Sequence, residues 1–297
     1  YPCFETLKDL EYKRKRQLRA GKPPVYDRSA LNLTDQQLSE YHKQGLTPHW
    51  RFKLNDEKIE FNDLVRGQTN FHGARLSDPV LMRGDGTYLY MLPSTVDDMD
   101  LKITHIIRGE DHVSNSAIQL QLFQALEGNT PQLAHLPLLS NVDGEGFSKR
   151  LGSLSLTDLR NAGIEPMAIN SMLAYLGTSV NINIESSLTS LVKKFDIALF
   201  SRSTPKFDCN HLKTLNVQFL RELPYKAVAK RLKKVISANN CEKFWLAVRE
   251  NIEKFSDCRL WHQVCYSDIE IIISEDDIPF LQTASNVLPQ EPWDNHT

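Results

Sequence analysis

The sequence predicts an α/β chain whose second half is all-α. Three observations predict it. Between Lys102 and Leu139 an apolar strand, a helix with apolar residues at three- and four-residue spacing and a second apolar strand follow one another, the rhythm of a doubly wound sheet. Ahead of that unit, short runs alternating apolar and polar residues are interleaved with helical segments, a small α+β arrangement. Beyond Ser155 the pattern is mainly helical.

The first element is a helix from about Glu5 to Arg19, which Gly21 and the Pro23-Pro24 pair cannot continue. Val25 to Leu33 reads as loop. Thr34 then opens a short helix to about Lys43, with Gly45 as its stop. His49 to Leu54 alternates Trp50, Phe52 and Leu54 against Arg51 and Lys53, and Ile59 and Phe61 continue the alternation, so strands with one wet face are expected. Pro79–Met82 and Tyr88–Met91 are short β-like runs on either side of the turn sequence Gly84-Asp85-Gly86. Ile103, Ile106 and Ile107 build the next strand, which ends at Arg108-Gly109-Glu110-Asp111-His112. The helix after it carries Val113, Ala117, Ile118, Leu122 and Ala125 and closes at Gly128, and Leu133–Leu139 is the following strand. Ligands in such sheets sit beyond the carboxyl ends of the strands, where Arg108 and Asp111 would lie. In the second half Thr157 caps a short helix ending at Gly163, and Pro166 opens another that runs through Met167–Leu176 to Gly177. Further helices are expected at Cys209–Arg221, Tyr225–Ser237, Cys241–Phe255 and Ile278–Val287.

Of the 297 residues, 41% are hydrophobic and 24% charged, which excludes a disordered or collagen-like chain. Five scattered cysteines without a Cys-x-x-Cys argue for reduced thiols in a cytoplasmic protein and give no four-ligand zinc pattern. Apolar runs such as Ile271-Ile272-Ile273 fall far short of the ~20 residues needed to cross a bilayer, so no membrane span is expected. The net charge of −2 hides an uneven distribution. Lys8 to Lys22 holds seven basic and two acidic residues, a second basic cluster lies at Lys226, Lys230, Arg231, Lys233 and Lys234, and from Asp268 onward there are seven acids and no Lys or Arg. Basic surfaces of this kind neutralise the phosphates of a polyanion; the same composition also describes a solvated helix face. Position 1 is Tyr1, with no secretory n-region or h-region after it, so a chain cut from something longer is expected.

The segment Gly146-Phe147-Ser148-Lys149-Arg150-Leu151-Gly152-Ser153 is a glycine-flanked loop of adjacent cations and hydroxyls. It suits a migrating phosphoryl charge, with Lys149 following the leaving pyrophosphate and Ser148 and Ser153 donating hydrogen bonds. Standing alone, Ser-Lys-Arg in such a loop is more often a solvated turn. There is no G-x-x-x-x-G-K-[ST] phosphate loop. His105, His112 and His135 form no ligand pattern and are expected to be ordinary buried or capping histidines.

Tyr90-Met91-Leu92-Pro93-Ser94-Thr95-Val96-Asp97-Asp98, then Thr104 to His112, His135-Leu136-Pro137-Leu138-Leu139 and Ser148-Lys149-Arg150 occur in this order between residues 90 and 150. Together they closely resemble the second half of the catalytic domain of bacterial glutamyl-tRNA synthetases, which are class I aminoacyl-tRNA synthetases. Phe147–Gly152 looks like that family's KMSKS loop, with Gly146 in place of the usual first lysine.

The resemblance implies an inserted α+β acceptor-end-binding domain over residues 1–76 and the second half of a Rossmann-like catalytic domain over 77–155. A helical stem-contact region over 156–235 and the start of a helical anticodon-binding domain over 236–297 would follow. Lys149 would bind ATP, with Ser148 and Arg150 beside it in catalysis. Tyr90, Ser94, Arg108 and Asp111 would line the glutamate pocket, although Arg108 and Asp111 could instead simply pair with each other. The acidic pair Asp97 and Asp98 would open a helix or belong to the same site. Lys13, Arg14, Lys15, Arg16 and Arg19 would contact tRNA. Glutamate, ATP with Mg2+ and the glutamate tRNA are the implied ligands of a cytoplasmic monomer. No metal-binding residues are expected, since Cys3 lacks the second thiol that zinc-bearing relatives carry nearby. The family's His-Ile-Gly-His-type motif is not in this sequence, so the chain by itself is expected to be inactive. A glutaminyl-tRNA synthetase, a relative that glutamylates a modified tRNA base, and a non-catalytic tRNA-binding module remain the alternatives.

Overall fold

A computed structural model of the chain describes residues 1–146, 155–236, 241–267 and 273–287. The chain opens with β1 (Pro2–Cys3), α1 (Leu7–Arg19), α2 (Asp35–Lys43), β2 (His49–Arg51), β3 (Lys58–Asp63), β4 (Gly67–His72) and β5 (Val80–Met82). Next come α3 (Met91–Asp100), β6 (His105–Gly109), α4 (Val113–Ala125) and β7 (Gln132–Leu136). The remainder is helical: α5 (Leu156–Asn161), α6 (Pro166–Tyr175), α7 (Leu188–Lys194), α8 (Cys209–Glu222), α9 (Tyr225–Val235), α10 (Cys241–Val248), α11 (Cys258–Tyr266) and α12 (Ile278–Val287).

The helix starts are written locally. Thr6 and Thr34 cap α1 and α2 through reciprocal bonds with Asp9 and Gln37, satisfying backbone donors that have no partner inside the helix. At α5 the cap is Ser155 with Asp158, not Thr157, because only Ser155 has an acceptor partner three residues on that can answer its own N–H. Pro166 occupies the first turn of α6, and Gly177 beyond its end takes φ +86°, a conformation open to glycine.

Two sheets hold the first half. The order β1-β2-β5 is antiparallel, and the second sheet runs β4-β3-β7-β6. In it β6 and β7 are parallel, with His105 opposite Gln132 and Gly109 opposite Leu136, and α4 makes the crossover. The hairpin β3–β4 joins this sheet through a parallel contact of Asp63 with Leu133. Both sheets therefore cross the boundary expected between residues 76 and 77: β5 completes the first, and β3 and β4 extend the second. Likewise one apolar core runs across residues 235 and 236, joining Leu220, Val228, Leu232, Ile236, Phe244, Trp245 and Ile252.

Several expectations are corrected. Tyr88–Met91 is not a strand: only Tyr88 bridges to Met82, and Met91 begins α3, whose first turn accommodates Pro93 because no intrahelical donor is needed there and proline supplies none. Asp97 and Asp98 consequently lie in the second half of α3 and do not open it. β4 is not expected from the sequence, since two of its three inward positions are Gly67 and Thr69, which carry no apolar signal, and neither are the short helices α7 and α11. The helix from Cys241 ends at Val248 and tightens into a 3-10 turn, Arg249–Asn251.

One carboxylate clips the amino-terminal unit together. Asp78, 1% exposed, accepts from Arg28 at 2.9 and 3.0 Å, from the Tyr1 hydroxyl at 2.7 Å and from the Leu54 N–H at 3.0 Å. Three distant stretches of chain converge on it. Asp78→Ala is expected to cost about 3–5 kcal/mol, the penalty of stranding buried polar partners, read as a lowered midpoint in urea unfolding.

Candidate active site

β6 ends at Gly109, a 3-10 turn occupies Glu110–His112, and α4 starts at Val113 beside α3. This brings Arg108 and Asp111 to the carboxyl end of the strand, as the sheet rule requires. At the turn itself Gly109 has no room for a side chain: a Cβ there would lie 2.5 Å from the Asp111 Oδ1 atom and 2.9 Å from Leu138 Cδ2. Glycine thus lets Asp111 fold back over the strand end.

The four residues expected to bind glutamate are gathered here. The half-buried Arg108 guanidinium donates through Nη2 to Ser116 Oγ and to Gln119 Oε1 at 2.6 Å, and its Nε lies 3.5 Å from His135 Nε2. Burial lowers its pKa, while Tyr90, Asp98 and Asp111 pull it back up. Among the described residues no carboxylate forms an ion pair with it, so the alternative of an Arg108–Asp111 pair does not hold; the Asp111 carboxylate instead approaches His112 Nε2 at 3.8 Å. Ser94 Oγ accepts from Gln119 Nε2 at 2.9 Å. The Tyr90 hydroxyl accepts from Asn115 Nδ2 at 2.7 Å, and its ring stands edge-on to His112. Burial raises the pKa of the Asp98 carboxyl, opposed by Arg108 and assisted by Asp97. A half-buried cation flanked by hydroxyls and amides, with no carboxylate bound to it, is equipped to take one from a ligand.

Sequence reasoning missed the residues behind Arg108. His112, Asn115, Ser116 and Gln119 fall at i, i+3, i+4 and i+7 of the turn and helix, a polar stripe on a different face from Val113, Ala117, Ile118, Leu122 and Ala125, and Ser116 and Gln119 are 1% and 2% exposed. Asp63 and His135 complete the cluster. Asp63 Oδ1 accepts from the backbone N–H groups of Val65 at 3.0 Å, Arg66 at 2.8 Å and His135 at 3.2 Å. Its Oδ2 takes His135 Nδ1 at 2.5 Å, and both side chains are fully buried. Burial alone would raise the Asp63 pKa, but these hydrogen bonds outweigh it and the net shift is downward. His135 is buried as expected, yet it is a member of the site's support and not a solitary core residue.

Ser148, Lys149 and Arg150 lie outside the described residues. On α1, Arg14, Lys15, Arg16 and Arg19 are exposed, although Lys15 pairs with Glu11 at 2.8 Å. Lys13 differs: it is engaged internally with Glu5 at 3.3 Å, Asp27 at 3.2 Å and Ser29, and so is less available to an external phosphate. Burial lowers its pKa, but the two carboxylates outweigh that and raise it. Against the expectation of no metal residues, one three-donor group exists among the described residues. Cys3, Glu5 and His49 each place a ligand atom within 4.8 Å of the others. The Glu5 Oε1 atom is already taken by Tyr26 and Ser29, both at 2.8 Å, and by Lys13. A separate cavity of about 840 Å³, lined by Arg160, Ile164, Glu165, Arg231 and Phe255 among others, lies within the helical half.

Burial holds His135 below the ordinary imidazole pKa; the Asp63 hydrogen bond opposes this, and Arg108 and Arg66 reinforce it. His49 is likewise pushed down by burial and by Arg51. As pH falls below ~6.5 the unfolded chain takes up these protons before the folded one does, so stability declines on acidification. The urea midpoint is expected to drop between pH 7.5 and 5.5, and the drop to be smaller in a His135→Gln variant than in the parent.

Comparison with known proteins places this geometry. A model of the family described as tRNA synthetases class I (E and Q), catalytic domain, matches residues 1–214. Glutamate--tRNA ligase 2 of Hyphomonas neptunium is 47% identical over 290 residues, spanning 98% of this chain and 65% of its own length. The Glutamate--tRNA ligase of Azospirillum brasilense is 48% identical over 299 residues, spanning 100% of this chain and 66% of its own. The chain thus covers about 65% of the length of these curated relatives. A crystal structure of a glutamate tRNA ligase from Elizabethkingia meningosepticum in complex with its amino acid superposes with a TM-score of 0.77 at 23% identity, covering 96% of this chain and 65% of that one, a likeness of fold. With a strand, turn and helix that carry the site residues inside the matched segment, the chain belongs to the family of class I tRNA synthetases for glutamate and glutamine.

Proposed function

We propose that this chain carries the glutamate pocket of a glutamate–tRNA ligase. The ligase activates glutamate with ATP, supplied with Mg2+, to glutamyl adenylate and pyrophosphate, then passes the glutamyl group to the 3′ end of the glutamate tRNA. The observation that carries the reading is Arg108: a half-buried guanidinium at the strand end, steadied by neutral partners and paired with no carboxylate among the described residues. Similarity to curated glutamate–tRNA ligases at 47% and 48% identity supports the choice of substrate.

In this reading Arg108 and Tyr90 receive the amino acid, Asp111 meets its ammonium, and Ser94 lines the pocket. Lys149, with Ser148 and Arg150, stabilises the charge that builds on the phosphates. No covalent intermediate on the enzyme is required; positioning and charge stabilisation carry the chemistry. The exposed cations of α1 face the acceptor end of tRNA within an acceptor-binding unit of residues 1–76. Residues 156–235 contact its stem, and residues from 236 begin an anticodon-reading part. The enzyme works as a cytoplasmic monomer; among the described residues no helix is long and apolar enough to cross a membrane.

The test is glutamate-dependent ATP–pyrophosphate exchange, with tRNA present, by the protein expressed from its complete reading frame. Removing the cation that pairs with a buried carboxylate costs about 2–5 kcal/mol, so Arg108→Ala should raise the KM for glutamate about 30-fold or more while sparing the KM for ATP. Lys149→Ala should lower kcat by about 10²–10³. Exchange indifferent to glutamate, or an unchanged glutamate KM in the Arg108 variant, would contradict the reading.

A further inference from the structure

Arg108 is held from behind by groups whose hydrogen-bond directions are forced. The Asp63 carboxylate can only accept, and its Oδ2 atom lies 2.5 Å from His135 Nδ1, so that nitrogen carries the proton. Burial disfavours the charged imidazole, so its Nε2 accepts, from the Ser116 hydroxyl at 2.8 Å and, at 3.5 Å, from the Arg108 Nε. With its hydrogen turned toward His135, Ser116 Oγ presents lone pairs to Arg108 Nη2. Every donor thus points the same way, from the guanidinium through the hydroxyl and the imidazole to the carboxylate. A second arm, Gln119, accepts from the same Nη2 and donates to Ser94.

We propose that Asp63, His135 and Ser116 form a directional relay that positions Arg108 to receive the substrate carboxylate; the proposal rests on the reading that Arg108 binds glutamate. Its arrangement suits that task better than a direct ion pair would. A carboxylate in contact with Arg108 would neutralise the cation and compete with the ligand. Two neutral groups interposed along the relay between Arg108 and Asp63 fix the guanidinium in place and keep the balancing charge two side chains away. Its members are buried, Ser116 being 1% exposed and the Asp63 and His135 side chains 0%, so water cannot substitute for any of them. Asp63 comes from β3, Arg108 from β6, Ser116 from α4 and His135 from β7, so the sheet order itself delivers the relay. These are positioning residues; they touch no substrate.

The exchange reaction of the protein from its complete reading frame tests this with three variants. Ser116→Ala removes one oxygen and should raise the KM for glutamate about tenfold, with the KM values for ATP and tRNA within twofold of the parent. Ser116→Thr, which restores the hydroxyl, should recover most of the loss. Asp63→Asn keeps the shape but turns an amide N–H2 toward Nδ1, driving the imidazole proton to Nε2 and leaving the serine hydrogen aimed at the cation. It should reproduce the Ser116→Ala defect. A glutamate KM within twofold of the parent in both Ser116→Ala and Asp63→Asn would overturn the relay while leaving the ligase reading intact. A parallel rise in all three KM values with a lowered melting temperature would also overturn it, in favour of a scaffold role. Absence of glutamate-dependent exchange in the unaltered protein would overturn the ligase reading, and the relay with it.

Discussion

A single buried carboxylate, Asp63, is the constraint on which the rest of the site depends. An ionised group without solvent must find hydrogen-bond donors, and Asp63 finds four: three backbone N–H groups and the imidazole of His135. Two of those backbone groups shape the turn between β3 and β4. The other two contacts reach across to β7. The carboxylate that closes a hairpin therefore also fastens it beside the parallel strands, where Asp63 lies opposite Leu133. Breaking this cluster would loosen the sheet and the support of Arg108 together.

The geometry of the strand end follows from that anchoring. With β6 and β7 in parallel register and α4 crossing between them, Arg108 and His135 fall opposite one another on adjacent strands. The polar face of α4 then closes over both. Gly109 supplies the tight turn in which Asp111 folds back, and α3 brings Tyr90 and Ser94 against Asn115 and Gln119. The result is a cation surrounded by oriented dipoles in a half-buried setting, where electrostatic interactions are stronger than in water. The outer parts of the molecule obey a different logic. α1 buries no residue and keeps most of its positive charge exposed, whereas Lys13 is diverted inward to Glu5 and Asp27.

Much of this was legible in the sequence, and what was legible was local. Capping pairs at Thr34 and the helix-opening Pro166, and the βαβ unit around Arg108 from Tyr90 to His135, depend on short local patterns. Tyr88–Met91 misled because alternation over four residues cannot distinguish a strand from a helix start. What was not legible depends on pairing across the chain. The membership of β3 and β4 in the same sheet as β6 and β7 joins residues 63 and 133, and no periodicity announces that partnership. For the same reason Asp63 goes unremarked in the sequence and His135 reads there as an ordinary buried or capping histidine. Ser116 and Gln119 were hidden differently: each is unremarked alone, and only their spacing along α4 makes a stripe.

The most direct measurement of the central claim is a crystal structure of the protein from its complete reading frame with glutamate bound. The account predicts a carboxylate of the amino acid within hydrogen-bond distance of the Arg108 guanidinium, with the bonds from Arg108 through Ser116 and His135 to Asp63 unbroken. Glutamate bound away from Arg108, or an Arg108 side chain turned to Asp98 or Asp111 while glutamate is present, would contradict it.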